Sequence, residues 1–237
     1  MKKDVDISII VINHNRQNYI ERCLRSCVDQ IVFNKRFEII FVDDGSNDKS
    51  LDIAKKFKSS IRLFSLKKNR GIPFASNYAL NKAKGKYFIR VDSDDFINKH
   101  TINIMFEILE FNKKLVFVCC DHYRVDEYGY KEKLVRLDNV EKIKNHGAGI
   151  MFKKDVIKDY GSYNNQFSEA EDNELITKLI EKEKYFYLPL PLYRYYIHGN
   201  NISLTGNRKK YLNEIKRNDR TQEKGRKNLE KYKRKKK

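Results

Sequence analysis

An apolar strand in this chain runs straight into acid. Tyr87-Phe88-Ile89-Arg90-Val91-Asp92-Ser93-Asp94-Asp95-Phe96 places three carboxylates within four positions. Side chains alternate along a strand, so Asp92 and Asp94 are expected on one side, with Asp95 at the turn. Like charges this close repel. A divalent cation between them removes the repulsion, and carboxylate oxygens suit Mg²⁺ or Mn²⁺. A solvated acidic turn uses the same residues, and the segments that precede the triplet favour the cation.

Those segments alternate between strand and helix patterns. Ile7 to Ile12 is a continuous apolar run, as in a strand buried on both faces of a parallel sheet, and Asn13-His14-Asn15 ends it. A helix is expected from about Tyr19, with Ile20, Cys23, Leu24, Cys27 and Ile31 at helical spacing. Phe37 to Val42 is a second buried strand, closed by Asp43-Asp44-Gly45-Ser46, and Ile61 to Leu66 is a third. The turn-forming loop Lys67-Lys68-Asn69-Arg70-Gly71-Ile72 leads to Pro73 at a helix start, and Gly85 fits that helix's end. Such alternation implies a mostly parallel sheet flanked by helices, whose ligands bind beyond the carboxyl ends of the strands. Asn13–Asn15, Asp43-Asp44, Asn69–Gly71 and Asp92–Asp95 all fall at those ends.

The second half is less regular. A helix is expected from about Lys99 to Asn112, a strand over Leu115–Cys120, and a polar hairpin around Tyr128-Gly129. His146 to Phe152 reads as a strand whose Gly147 and Gly149 permit close backbone approach by a ligand. A helix follows from Glu171 to Lys182, then an aromatic strand region, Tyr185 to Ile197, broken by Pro189 and Pro191. The expected division is 1–97 as a nucleotide-binding half, 98–206 as a mixed acceptor-side half of the same domain, and 207–237 as a basic tail, weakly helical at best.

Composition sets the outer bounds. At 237 residues the chain suits one large domain or two halves sharing a core. No apolar run approaches the length of a membrane span, and Met-Lys-Lys-Asp-Val-Asp carries no apolar leader, so a cytoplasmic protein is expected. The four cysteines have neither zinc spacing nor disulfide logic and read as core thiols. The net charge of +18 is uneven: residues 207–237 hold 15 Lys and Arg against 4 Asp and Glu. Such a tail suggests anionic lipid at the inner face of a membrane, nucleic acid, or another acidic surface.

Residues 5 to about 204 resemble, in order, a family 2 glycosyltransferase of the GT-A fold. The matching pieces are Ile7–Asn15, Glu38–Ser46, Asn69–Ile72, Gly85–Asp95, Gly147–Phe152, Glu171-Asp172 with Leu175, and Tyr193–Ser203. The resemblance implies a Rossmann-like α/β domain that binds a nucleotide-sugar, UDP-linked by expectation, and a saccharide or lipid-linked acceptor. It implies donor contacts by Asn15, Asp43, Asp44, Asn69, Gly71, Asp92, Ser93 and Asp94, with Asp44 the better match for reading the base. A metal would be held by Asp94, Asp95 and His198; dividing these labours among Asp92, Asp94 and Asp95 stays open. Asp172 matches the catalytic base, and Gly147 and Glu171 fall on the acceptor side. For Glu171-Asp172 the alternative is a pair of carboxylates complementing a helix N-terminus, and for His198 a structural histidine. Two departures stand out: no proline precedes Asn13-His14-Asn15, and Ser76 stands where relatives often carry Arg.

Competing classes fit less well. A dehydrogenase or nucleotidyltransferase would want a glycine-rich phosphate loop where Asn13-His14-Asn15-Arg16 stands. A nucleic-acid binding module gains from the tail, but the acidic strand ends would repel phosphate without a metal. A catalytically inactive relative is opposed by the presence of Asp92, Asp94, Asp95 and Asp172.

Overall fold

The structure is a computed structural model and describes residues 5–199, 201 and 207–218. The start Met1–Asp4, Ser203 at the end of the resemblance, and 219–237 of the tail lie outside the described residues.

The first half is the expected alternation: β1 (Ile7–Asn13), α1 (Ile20–Val28), β2 (Phe37–Asp43), α2 (Ser50–Lys55), β3 (Arg62–Ser65), α3 (Ile72–Lys82) and β4 (Tyr87–Asp92). After it come β5 (Phe96–Ile97), α4 (Thr101–Phe111), β6 (Leu115–Val125), β7 (Lys131–Val135), α5 (Val140–Lys144), β8 (Ile150–Lys153), α6 (Lys154–Asp159), α7 (Glu171–Ile180) and β9 (Lys184–Tyr196). A last helix, α8, covers 207–218. One sheet joins the strands in the order β3-β2-β1-β4-β8-β6-β9-β5, with β7 also on β6. The pairs β3-β2, β2-β1 and β1-β4 are parallel, whereas β8 is antiparallel to both β4 and β6.

The unbroken apolar runs follow from burial on two faces. Ile7, Ile9 and Val11 pack into a core with Ile20, Cys23, Leu24 and Met105, while Ile10 and Ile12 join Ala75, Ala79, Leu175 and Leu179 on the other side. Period-two alternation with apolar residues on both faces is what a central strand between helix layers requires. The thiols conform: all four cysteines are free and buried, with Cys119 and Cys120 in opposite cores.

Three local expectations are corrected. Helix α1 stops at Val28, and Ile31 lies beyond it at 37% exposure. Strand β9 runs through Pro189 and Pro191 unbroken, and the prolines fall where its pairing with β6 shifts register between Cys120 and His122. Proline is accommodated at such irregularities because no ladder N–H is needed there. The third concerns the tail, whose first twelve residues form a packed helix: Ile215 is buried against Phe167 and Ala170, with Tyr211 and Leu212 alongside.

Candidate active site

The ends of β1, β2 and β4, the loop before α3 and the start of α7 surround a cleft of about 340 Å³. Asp44, Asn69, Gly71, Asp92, Ser93, Asp94, Gly147, Glu171 and Asp172 all line it. Asn15, Asp43, Asp95 and His198 are not part of that lining.

Strand β4 sets the centre. Tyr87, Ile89 and Val91 fill one core and Phe88 the other, so alternation turns Arg90 and Asp92 towards α3 and α7. The Arg90 guanidinium, 8% exposed, donates through Nη1 to Glu171 Oε1 at 2.5 Å and through Nη2 to Asp172 Oδ2 at 3.4 Å, and its Nε lies 3.2 Å from Asp92 Oδ1. Burial disfavours its charge, but the three surrounding acids outweigh burial and hold Arg90 firmly protonated. One cation does not neutralise three acids. Burial accordingly pushes the Glu171 carboxyl up to about 7, with Arg90 pulling against it. Arg90 is not among the residues expected at the site. Its signal was a charged residue inside an apolar strand, two positions before Asp92 and therefore on the same face.

Helix α7 delivers Asp172 in its first turn, where the helix N-terminus favours a carboxylate. Asp172 Oδ1 accepts the Asn173 N–H at 2.7 Å, and its side chain is 13% exposed at the cleft. The close approach expected of a ligand at Gly147 is made by this aspartate instead: a Cβ on Gly147 would lie 1.3 Å from Asp172 Oδ2.

At the other end, Asp44 Oδ1 accepts the Arg70 N–H and Oδ2 the Gly71 N–H, both at 2.8 Å. The bonds tie the loop before α3 to the end of β2, and each oxygen keeps a further lone pair for a ligand N–H. Gly71, with φ of 88°, adopts a conformation that a side chain would strain. Asp43 is 1% exposed and closes its own turn, accepting from Asn13 Nδ2 at 3.0 Å and from Ser46 Oγ at 2.6 Å. Asn15 Oδ1 accepts the Asn47 N–H at 2.9 Å. These two residues brace the loops whose neighbours line the cleft.

The acidic turn divides. Asp94 Oδ2 lies 3.3 Å from Arg16 Nε and 3.0 Å from His198 Nε2. The His198 ring stacks on Tyr19 at 4.9 Å and sits against Tyr196 at 5.2 Å, which fixes its edge towards Asp94. Asp95 points into the protein at 1% exposure, where Oδ1 accepts the Tyr196 N–H at 2.8 Å. Its Oδ2 makes no short hydrogen bond among the described residues, and burial with Asp94 and Asp92 nearby pushes its carboxyl well above the usual range, against the pull of the Tyr196 N–H and the Tyr193 hydroxyl. A divalent cation at this turn would offset the mutual repulsion of Asp92, Asp94 and Asp95 that disfavours ionisation of Asp95. Among the described residues no three His, Cys, Asp or Glu side chains converge as a ligand set. Asp94 and His198 together suit Mg²⁺ or Mn²⁺, ions that complete their shells with water and substrate phosphates.

Comparison with known proteins bears on the family and the fold. The Glycosyl transferase family 2 profile matches residues 8–170. The chondroitin synthase of Pasteurella multocida is 28% identical over 209 residues, which cover 84% of this chain and 21% of that protein. The poly(ribitol-phosphate) β-N-acetylglucosaminyltransferase TarS of Staphylococcus aureus is 39% identical over 98 residues, 40% of this chain and 17% of TarS. The chain thus spans about a fifth of the length of the curated relatives it matches. Among solved structures, S. aureus TarS 1–349 in complex with UDP-GlcNAc superposes with a TM-score of 0.74 at 23% identity, covering 89% of this chain and 65% of that one. The mannosyltransferase PcManGT of Pyrobaculum calidifontis, in complex with GDP-Man and Mn²⁺, gives 0.67 at 16% identity, covering 85% and 59%. At these identities the structural likeness establishes the fold, which is GT-A. With a profile match over most of its length on that fold, the chain belongs to glycosyl transferase family 2.

Proposed function

We propose that the protein is a metal-dependent, inverting glycosyltransferase that moves a sugar from a UDP-linked donor to a hydroxyl of a saccharide or lipid-linked saccharide during cell-surface glycan synthesis. One observation carries the reading: the Asp172 carboxylate faces the same cleft as Asp44, Asp92 and Asp94 at the ends of the parallel strands. Asp44, Asn69 and Gly71 would take the nucleoside, and Asp92, Ser93 and Asp94 the ribose and sugar. Asp94 and His198 would hold the ion, which when bound counters charge on the departing diphosphate. Asp172 would accept the proton of the acceptor hydroxyl as that oxygen attacks the anomeric carbon from the face opposite the leaving group. Arg90 holds Glu171 and Asp172 in place for this step. The complex of the fold neighbour S. aureus TarS 1–349 with UDP-GlcNAc supports the choice of donor.

The decisive experiment is a screen of UDP-, GDP- and dTDP-sugars for nucleoside diphosphate release, with Mn²⁺ and with chelator. UDP release that needs the metal is expected. Full turnover in excess chelator would remove the metal from the reading, and no release from any donor would remove the activity.

We further propose a cytoplasmic location with residues 219–237 as a peripheral tether to the inner membrane face. That segment holds ten Lys and Arg against three Asp and Glu. A basic residue near anionic lipid gains about 1 kcal/mol. None of the described helices is long and apolar enough to cross a membrane. Because α8 packs on the body, the comparison chain should end at 218. Only the full chain should sediment with anionic vesicles, and equal sedimentation of both would rule the tether out.

A further inference from the structure

The floor of the cleft is acidic, yet basic residues stand on its rim beside Glu169. Arg208, in the first turn of α8, lines the cleft and donates Nη1 to the Glu169 carbonyl oxygen at 3.0 Å. A second arginine, Arg124, stands near the end of β6. His146 lines the cleft and stacks on His122 with ring centroids 4.1 Å apart, and Arg124, two positions farther along β6, shares the His122 face.

Arg124 continues the cleft face outward. Its register partner on β9 is Tyr195, which lines the cleft, and its partner on β7 is Lys133. Register partners present side chains to the same face of a sheet, so Tyr195, Arg124 and Lys133 form one row across three strands. Arg124 and Lys133 are exposed, and neither has an acid at ion-pair distance among the described residues. Two like charges directly opposite each other on neighbouring strands are unfavourable unless a third group compensates.

We propose that this group belongs to the acceptor: a saccharide or polyol chain with phosphate or carboxylate on the unit beside the one that receives the sugar, held by Arg208, Arg124 and Lys133. The assignment rests on the glycosyltransferase reading above. It gives each charge a place. The neutral hydroxyl reaches Asp172 on the acidic floor, and the anionic neighbour stays on the basic rim, away from carboxylates that would repel it.

The test uses the full chain saturated with UDP and Mg²⁺, after UDP affinity has been measured alone. Oligomers of two or three units are titrated in three forms: a polyol phosphate, a uronate-containing saccharide and a neutral saccharide. The basic tail is present in every variant and contributes a common background. At least one charged oligomer is expected to bind about tenfold tighter than the neutral one, as a few exposed charge contacts allow. The two charged arms then tell phosphate from carboxylate. The double variant Arg124→Gln, Lys133→Gln should erase the preference and leave UDP affinity and melting temperature unchanged. Arg208→Gln should weaken oligomer binding and not UDP binding. Equal binding of charged and neutral oligomers would overturn the proposal, as would an Arg208→Gln loss that falls on UDP. Failure of the wild-type chain to bind UDP would sink the glycosyltransferase reading itself, while the oligomer arm would still report on the basic rim.

Discussion

The two flanks of the cleft are assembled by different rules. On the side proposed for the donor, loops at the ends of β1, β2 and β3 brace one another through many bonds: Asp44 to Arg70 and Gly71, Asn13 to Asp43 and Ser46, Asn15 to Asn47. These span 26 to 33 residues, one strand–helix repeat. On the side proposed for the acceptor a few contacts reach much farther along the chain. Arg90 reaches Glu171 over 81 residues, and the Tyr193 hydroxyl meets the Asp92 N–H over 101. A distributed network loses little with one bond removed. A site held by one buried guanidinium and one glycine contact concentrates its sensitivity there.

That contrast is testable, starting with the largest effect. Asp172→Asn should lower transfer by about two to four orders of magnitude, the range for losing general-base catalysis, with UDP binding intact. A matching loss of UDP binding would break the division between flanks. Gly147→Ala comes next. Its Cβ would occupy the position of the Asp172 carboxylate, and displacing a reacting group by an ångström costs about 10²-fold in turnover. Unchanged kcat in a folded Gly147→Ala protein would mean that Asp172 does not act from this position. On the donor side, Asp44→Ala should raise the donor KM about tenfold, as for losing a hydrogen bond to a charged group, with kcat little changed.

The smallest effect sharpens the comparison through pH. Burial raises the Glu171 carboxyl from 4.5 in the unfolded chain to about 7 in the folded one. The folded state therefore binds this proton more strongly. The contribution to stability is complete below about pH 4.5 and is lost as pH rises through 7. Melting temperature between pH 5 and 8 should fall more steeply for the wild type than for Glu171→Gln. Parallel curves would show that Glu171 is ionised throughout, with Arg90 fully compensating it.

The amino-acid sequence by itself determined the donor flank. Unbroken apolar runs ending in Asn13, Asp44 and Asp92 are local patterns, and a strand–helix repeat leaves its loops only one end of a parallel sheet to occupy. It also determined the acidic triplet and the pairing of Asp172 with a helix start. Which acids face the cleft was decided in three dimensions: Asp94 turns to Arg16 and His198, while its neighbour Asp95 turns inward to the Tyr196 backbone. The tertiary structure alone joined Arg90 to Glu171 and Asp172, brought the Asp172 side chain against Gly147, and seated α8 with Arg208 at the cleft. The physical reason is range. Hydrophobic period and turn chemistry act over a few residues and show in the order of letters. The partner of a buried charge is chosen by where distant strands and helices come to rest, and no local pattern records that choice.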